Sequence, residues 1–446
     1  AAGTGLSSCQ IGKSYTRPDM PLPARLDTLT QDTASIGDLS WWELYNDTTL
    51  QQLIHRALTY NKDLKIASAR MNELAALKRV DFANMFPQAT ARLNGNRETT
   101  NYGGDNFDAD SELSLTASIS WELDLWGNLR WARDRSTAEF LASVENCRAV
   151  KMGLVAQVAQ SYFELMALDN ELAIVRRTLE ARREGVRLAE IRFKGGLTSE
   201  IVFQQAKVEL AKTATMVPDL ERRISLKESE IALLTGDFPY AVNRNILPEE
   251  IQLPDALPLG LPSTLLERRP DIRKAERELM AAHAEVGLAY TNMFPRLALT
   301  ATLGTESETL RDFLKSPYSY LAGNLLSPLF AMGKNRAALK AKRAAYEGAV
   351  AEYEQTVLTA FKETHDAIIN FNKIKDIYES RRQLAEASRT AVELAQLQYI
   401  NGVIGYLDLL DAQRNYFDAQ VSLSNAVCNK QLMIINLYKA LGGGWK

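Results

Sequence analysis

Between Leu113 and Leu125 the chain alternates without a break. Leu113, Leu115, Ala117, Ile119, Trp121, Leu123 and Leu125 are apolar, and Ser114, Thr116, Ser118, Ser120, Glu122 and Asp124 lie between them. A period of two is that of a β-strand with one apolar and one polar face. Residues 88–97 read as its partner and residues 101–110, rich in Gly, Asn and Asp, as the turn, so a strand hairpin is expected over about 88–125. The strand is long enough to cross a bilayer when tilted, for which about 10 residues suffice. Trp121 and Trp126 sit where an interfacial aromatic girdle would lie.

After Gly127 the period changes. Leu154, Val158, Ser161, Leu165, Leu168, Leu172, Val175, Leu179, Arg182, Val186, Ala189 and Phe193 follow alternating spacings of four and three, and no proline interrupts them. This is the seam of a coiled-coil helix, on the order of 100 Å long at ~1.5 Å per residue. Lys194-Gly195-Gly196-Leu197-Thr198-Ser199 breaks it, and Thr198 or Ser199 can cap a returning helix that stops at Thr235-Gly236 and that Pro218 should kink. A long helix hairpin is therefore expected over about 127–236.

The whole order recurs. Asn84-Met85-Phe86-Pro87, where a helix from Asn61 must end because proline bars the α region before it, returns as Asn292-Met293-Phe294-Pro295, 208 residues on (84 to 292). A second strand hairpin is expected over about 296–327. The second long helix hairpin, about 333–442, keeps the same seam 206 residues on (154 to 360), through Ala360, Thr364, Ala367, Phe371, Ile374, Tyr378, Arg381, Ala385, Ser388, Val392, Ala395 and Tyr399. The chain is a tandem duplication: an extended arm over 1–37, a first repeat over 38–236, a proline-rich linker over 237–263 and a second repeat over 264–446. Residues 38–58 read as a helix opening at Asp38-Leu39-Ser40-Trp41-Trp42.

Composition removes several classes. No run of about 18 apolar residues marks a helical membrane span. A net charge of −3 argues against nucleic acid as a partner. Three cysteines and three histidines, none at ligand spacing, suggest no metal centre, and no nucleotide loop or hydrolase motif suggests an enzyme or a cofactor. Cys147 and Cys428 read as packed small apolar residues and His55, His283 and His365 as structural or surface groups. Four strands cannot close a barrel, and an open edge is forbidden in lipid, so symmetric association of several chains is required.

Leu265-Leu266-Glu267-Arg268-Arg269-Pro270-Asp271-Ile272-Arg273-Lys274-Ala275-Glu276 with Phe294-Pro295, Leu409-Leu410-Asp411-Ala412-Gln413-Arg414, and Tyr438-Lys439-Ala440-Leu441-Gly442-Gly443-Gly444-Trp445 carry a resemblance to the TolC family of outer-membrane channels. Within that family the chain resembles the lipoprotein branch that serves resistance-nodulation-division efflux pumps. The resemblance implies an α+β membrane protein. Its long α-helical barrel would be continuous with a transmembrane β-barrel of four strands per chain, 12 in a homotrimer, with the 237–263 linker in an equatorial region. It also implies a periplasmic adaptor (a membrane fusion protein), an inner-membrane transporter and outer-membrane lipid as partners. Leu6-Ser7-Ser8-Cys9 resembles a lipoprotein processing box, which would make Cys9 a lipidated residue.

The resemblance further implies a periplasmic gate at Leu407, Asp411 and Arg414, which share one helical face, with Asp408 as a weaker addition. The bland alternative for Asp411 and Arg414 is a surface i,i+3 pair. The hairpin tips Gly195, Gly196, Leu197, Thr198 and Gly402, Val403, Ile404, Gly405 are expected to dock the adaptor, since exposed apolar tips call for a partner. The leading function is a passive exit duct for small molecules. A type I protein-secretion duct and a non-transport coiled-coil scaffold are the alternatives.

Overall fold

A computed structural model describes residues 10–21, 35–44, 47–101, 103, 108–244, 262–309, 311–313, 315–328, 330 and 332–445. Cys9 and most of the 237–263 linker lie outside the described residues. The chain divides into two compact units, one of residues 1–20, 69–145 and 273–356, the other of residues 21–68, 146–272 and 357–446.

The first unit holds the sheet. β1 (Gln88–Thr100), β2 (Asp108–Leu123), β3 (Arg296–Ser307) and β4 (Pro317–Leu326) form one antiparallel sheet in the order β1-β2-β3-β4. Gln88 pairs with Ser120, which pairs with Thr300 rather than Arg296, a stagger of the kind that tilted barrel strands need. The exposure of the faces is inverted relative to a sheet on a water-soluble core. Leu115, Ala117, Ile119, Leu299, Ala301 and Leu303 are exposed, as are Leu321 and Leu325, whereas Ser114 is buried and Thr116, Ser118, Thr300 and Thr302 are half-buried. On the polar face the Ser118 and Thr302 hydroxyls bond each other at 2.9 Å. An apolar outside over a polar inside is the pattern of a membrane barrel wall. Among the described residues no helix is long and apolar enough to cross a membrane.

Both Asn-Met-Phe-Pro copies end a helix where a strand begins. α3 (Lys62–Ala83) leads to β1, and α7 (Pro270–Thr291) leads to β3. Trp121 Nε1 donates to the Met85 carbonyl at 3.1 Å and Trp126 Nε1 to the Pro295 carbonyl at 2.7 Å, so each expected girdle tryptophan bonds one copy. The described arm residues 10–21 form neither helix nor strand, and Arg17 makes an ion pair with Glu276 at 2.6 Å.

The second unit is helical. The long helices α4 (Asn128–Lys194) and α8 (Lys334–Ile400), 67 residues each, lie partly in both units and turn back as α5 (Glu200–Leu234) and α9 (Tyr406–Ala440). The heptad seam is the core: Val158, Ser161, Leu165, Val175, Ala360, Thr364 and Phe371 are buried. Pro218 lies inside α5, which continues through it. The expected single helix from Asp38 is instead a 3-10 turn at Ile36–Asp38, a short α1 (Trp41–Leu44) and α2 (Thr48–Tyr60). The break has a cause at Asp47, whose carboxylate accepts the Thr49 and Leu50 N–H groups and starts a new helix. Tyr162 donates to the same carboxylate at 2.9 Å, pinning α2 to α4. Buried Cys428 donates weakly to the Phe163 carbonyl at 3.6 Å, and burial pushes its thiol up to about 12. It is a packed residue, as its position on the helix pattern implies.

The repeats terminate alike. Gly236 (φ +76) lies against the Tyr60 carbonyl, where an added Cβ would sit 2.5 Å from the oxygen. Gly442 (φ +82) lies against Arg268, at the end of α6 (Pro262–Arg268), in the matching place. Asn61 caps the Leu234 carbonyl at 3.0 Å, and its counterpart Arg269 reaches the Ala440 carbonyl at 3.2 Å. Arg269 is buried and also binds Asp271 and Glu363, at 2.6 Å each. Burial pushes the Asp271 carboxyl up, but the hydrogen bond and charge of Arg269 outweigh it and hold the group below the usual carboxylate range. Arg269→Met should cost about 2 kcal/mol, because the buried Ala360 and Ala440 carbonyls lose a donor and two carboxylates lose a cation. Helical circular dichroism during unfolding in detergent checks this. A depressed carboxylate stabilises above its unfolded value of about 4 and loses that contribution as pH falls through the folded value, so Asp271→Asn should flatten the loss of stability below about pH 4.

Candidate functional site

The two hairpin tips close with the same geometry. After α4, Gly196 takes φ +73, Gly196 N–H bonds the Phe193 carbonyl, and Leu197 N–H bonds the Arg192 carbonyl at 2.8 Å. After α8, Gly402 takes φ +72, Gly402 N–H bonds Tyr399 and Val403 N–H bonds Gln398 at 2.9 Å. This is a glycine-terminated Schellman close, and it drives the next residue outward. Leu197 and Val403 are accordingly 72% and 70% exposed, so each tip presents one apolar side chain. Gly195 and Gly405 are exposed beside them, and Ile404 is drawn back against Tyr399 and Leu409. Ser199 occupies the expected cap position of α5, but its side chain makes no cap bond, and the buried Thr198 hydroxyl has no hydrogen-bond partner among the described residues.

On α9, Leu407 is 62% exposed, and Asp411 and Arg414 are exposed on the same side. Asp411 accepts from Asn415 at 3.2 Å. Asp408 acts locally, since its carboxylate accepts the Gly405 N–H at 3.0 Å and closes the start of α9. The i,i+3 pair between Asp411 and Arg414 is not what forms. Arg414 crosses instead to Glu209 on α5, with Nε to Oε1 at 3.2 Å and a shorter second contact from Nη2. Glu209 is only 3% exposed, and its other oxygen takes Arg182 Nη1 from α4 at 2.8 Å. The same Arg182 nitrogen bonds the Glu209 carbonyl at 2.8 Å and the Thr213 hydroxyl at 2.5 Å.

Three helices thus converge on one buried carboxylate held by two guanidinium groups. A buried acid prefers ionisation only when charge and hydrogen bonds repay its dehydration. Burial pushes Glu209 up, while the Arg414 hydrogen bond and the charges of Arg182 and Arg414 outweigh it and leave the carboxyl below its ordinary range. Burial pushes Arg182 down. An open cavity of about 300 Å³ lies beside this node, lined among others by Ala206, Tyr399, Tyr406 and Gln413. Arg192 stacks over the Tyr399 ring at 4.9 Å nearby, with its Nε buried and unbonded. Spacing along the chain does not single out Glu209 and Arg182 as site residues. The available signal is Arg182 itself, the one charged residue in a largely apolar seam, which requires a buried anion on a facing helix.

A four-stranded sheet with an apolar outward face, whose outer strands have no further partner among the described residues, in a chain of duplicated long helix hairpins, defines a subunit of an outer-membrane channel. The chain belongs to the outer membrane efflux protein family, whose profile matches residues 53–237 and 261–443. It is 32% identical to the outer membrane protein OprJ of Pseudomonas aeruginosa over 99% of this chain and 94% of that one. It is 29% identical to the probable outer membrane lipoprotein SilC of Salmonella typhimurium over 99% of this chain and 96% of that one. Its fold superposes on the outer-membrane channel OprN with a TM-score of 0.90 at 30% identity, covering 98% of this chain and 100% of that one. The protein is therefore an outer-membrane exit duct of a tripartite efflux pump, in keeping with the TolC-family resemblance.

Glu209→Gln should leave Arg182 buried without its counter-charge, at a cost of about 3 kcal/mol. Amide exchange should then quicken around Arg182 and Glu209, while Asp411→Asn leaves it unchanged. In the wild type the same protection should persist down to about pH 4 and fail below it, since a carboxylate with a depressed folded value loses its contribution only as pH drops through that value.

Proposed function

We propose that three copies of this chain close one barrel of 12 strands and one helical tube, and that the tube is shut at the hairpin end until an adaptor engages it. The observation that carries the reading is the sheet: on its central strands β2 and β3 the apolar face is exposed while polar residues such as Ser114, Thr116, Ser118, Thr300 and Thr302 are sheltered, and its outer strands β1 and β4 have no further strand partner among the described residues. Identical copies supply those partners by cyclic symmetry. Along the helices, Leu358, Ile369, Leu384 and Leu394 are exposed apolar groups that such neighbours would cover. The chain's part is passive, with energy drawn from the inner-membrane transporter.

In this reading Leu407 and Asp411 face the axis at the periplasmic end, and Asp408 caps the helix that carries them. Arg414 is the latch. Its bond to Glu209 ties α9 to α5, so opening requires that bond to break. Leu197 and Val403 give the adaptor one apolar knob per hairpin, framed by Gly195, Gly196, Thr198, Gly402, Ile404 and Gly405. The family's efflux description favours small-molecule cargo over a secreted protein or a scaffold role. Cys9, in its Leu-Ser-Ser-Cys setting, anchors the arm through a lipid, a reading supported by the lipoprotein name that SilC carries.

In planar bilayers the wild-type protein should give small, mostly closed currents. Arg414→Ala and Glu209→Gln should each raise the open fraction by about tenfold, the worth of one charged hydrogen bond. Asp411→Ala should raise conductance by removing axial charge. Unaltered currents in all three variants would sink the gate. Mass spectrometry of the N-terminal peptide from protein purified out of outer membranes should find Cys9 bearing diacylglycerol and an amide-linked acyl chain; an unmodified cysteine rules the anchor out.

A further inference from the structure

The two copies of the Asn-Met-Phe-Pro junction make the same local bond with different chemistry. In the first, Gln88 Nε2 donates to the Asn84 side-chain oxygen at 3.2 Å. In the second, Arg296 Nη2 donates to the matching Asn292 oxygen at 2.6 Å. Asn128 opens α4 after the first hairpin, and Lys334 opens α8 at the corresponding place after the second. Two neutral amides of the first repeat are thus two cations in the second, and both cations line one open cavity of about 900 Å³.

The cavity lies on the polar side of the sheet. Arg296 shares its face with Thr300 and Thr302, by the alternation of β3, and Thr302 bonds Ser118 on that face. The other cations there are compensated. Lys342 binds Glu285 at 2.6 Å, and Arg135 has Asp81 and Glu139 at 3.6 and 3.8 Å. Arg296 is held by an amide oxygen, which Asn128 steadies with a further bond at 3.0 Å, and among the described residues neither Arg296 nor Lys334 has an ion pair. The guanidinium is oriented while its charge and remaining donors stay available. That arrangement suits an anionic oxygen ligand, since a guanidinium fork and an ammonium together match phosphate or carboxylate oxygens.

We infer that Arg296 and Lys334 form an anion-binding site on the inner wall of the duct, at the junction of helices and strands, which favours the passage of anionic solutes. The inference deepens the duct reading and rests on it for the position of the inner wall. Charged side chains lining a pore set its ion preference by attracting counter-ions.

The test uses the full chain in detergent with inorganic pyrophosphate as probe, and a double variant carrying the first repeat's own residues, Arg296→Gln with Lys334→Asn. Equilibrium dialysis at low salt should show pyrophosphate bound by the wild type and by Lys315→Gln, a control on an outer loop, with at least about tenfold weaker binding by the double variant. In bilayers under a potassium chloride gradient, the chloride-to-potassium permeability ratio should fall about twofold in the double variant. Equal pyrophosphate binding by wild type and double variant, or none by either, overturns the site. An unchanged permeability ratio at intact conductance overturns its effect on passage. Absence of conductance from both proteins tells against the duct reading, while the dialysis still decides the site.

Discussion

A peptide group in hydrocarbon has no water to bond, so every strand that enters a membrane needs a neighbour on both sides. This one constraint organises the molecule. The sheet satisfies it between β1 and β4 and, among the described residues, leaves it unmet at their outer edges. A duplicated hairpin doubles the strands without closing the ring, which is why the proposed assembly closes it with further copies of the chain. The same constraint explains why both strand entries are marked by proline. The helix must end where the strand ladder begins, and the missing proline N–H removes one donor that neither element could satisfy. Trp121 and Trp126 then bond carbonyls of those junctions, as amphipathic rings do at a boundary between lipid and water.

Much of this is legible in the chain because it is periodic. The unbroken alternation over 113–125 forms β2, and the four-three seam forms the buried line from Leu154 to Leu172. The inversion of the sheet is legible only indirectly, since alternation reports two faces but not which one meets solvent. Here the exposed face is the apolar one. Local punctuation is harder to read. The segment after Asp38 has the pattern of one helix, yet Asp47 offers its carboxylate to two N–H groups, a short-range bond that outcompetes continuation. Asp408 likewise has the spacing of a capping residue, three after Gly405, and caps rather than pairs.

The proposed gate face on α9 shows where reading a single helix stops. Leu407, Asp411 and Arg414 can be placed on one face from spacing alone. The partner of Arg414 cannot, because Glu209 lies 205 residues away and meets it only when two hairpins pack side by side. Burial of Glu209 is a property of three helices together. Only Arg182 announces the node in advance, as a cation set among leucines and valines.

The duplication therefore explains the frame, and its failures explain the sites. Where the repeats agree, at the Schellman closes of both tips and at Gly236 and Gly442 against the preceding helix ends, the residues serve the fold. Where they differ, chemistry appears. Arg182 and Glu209 correspond to Ser388 and Asn415, and Arg414 corresponds to Val208, so the three-helix node cannot occur twice in one chain. Gln88 and Asn128 correspond to Arg296 and Lys334, so this pair of cations, without an ion pair among the described residues, occurs once. A twofold-repeated wall would otherwise be nearly uniform around its circumference. Divergence at these positions gives each chain one three-helix node and one pair of cations, and in the proposed threefold assembly each would form a single ring of three rather than a smear of six.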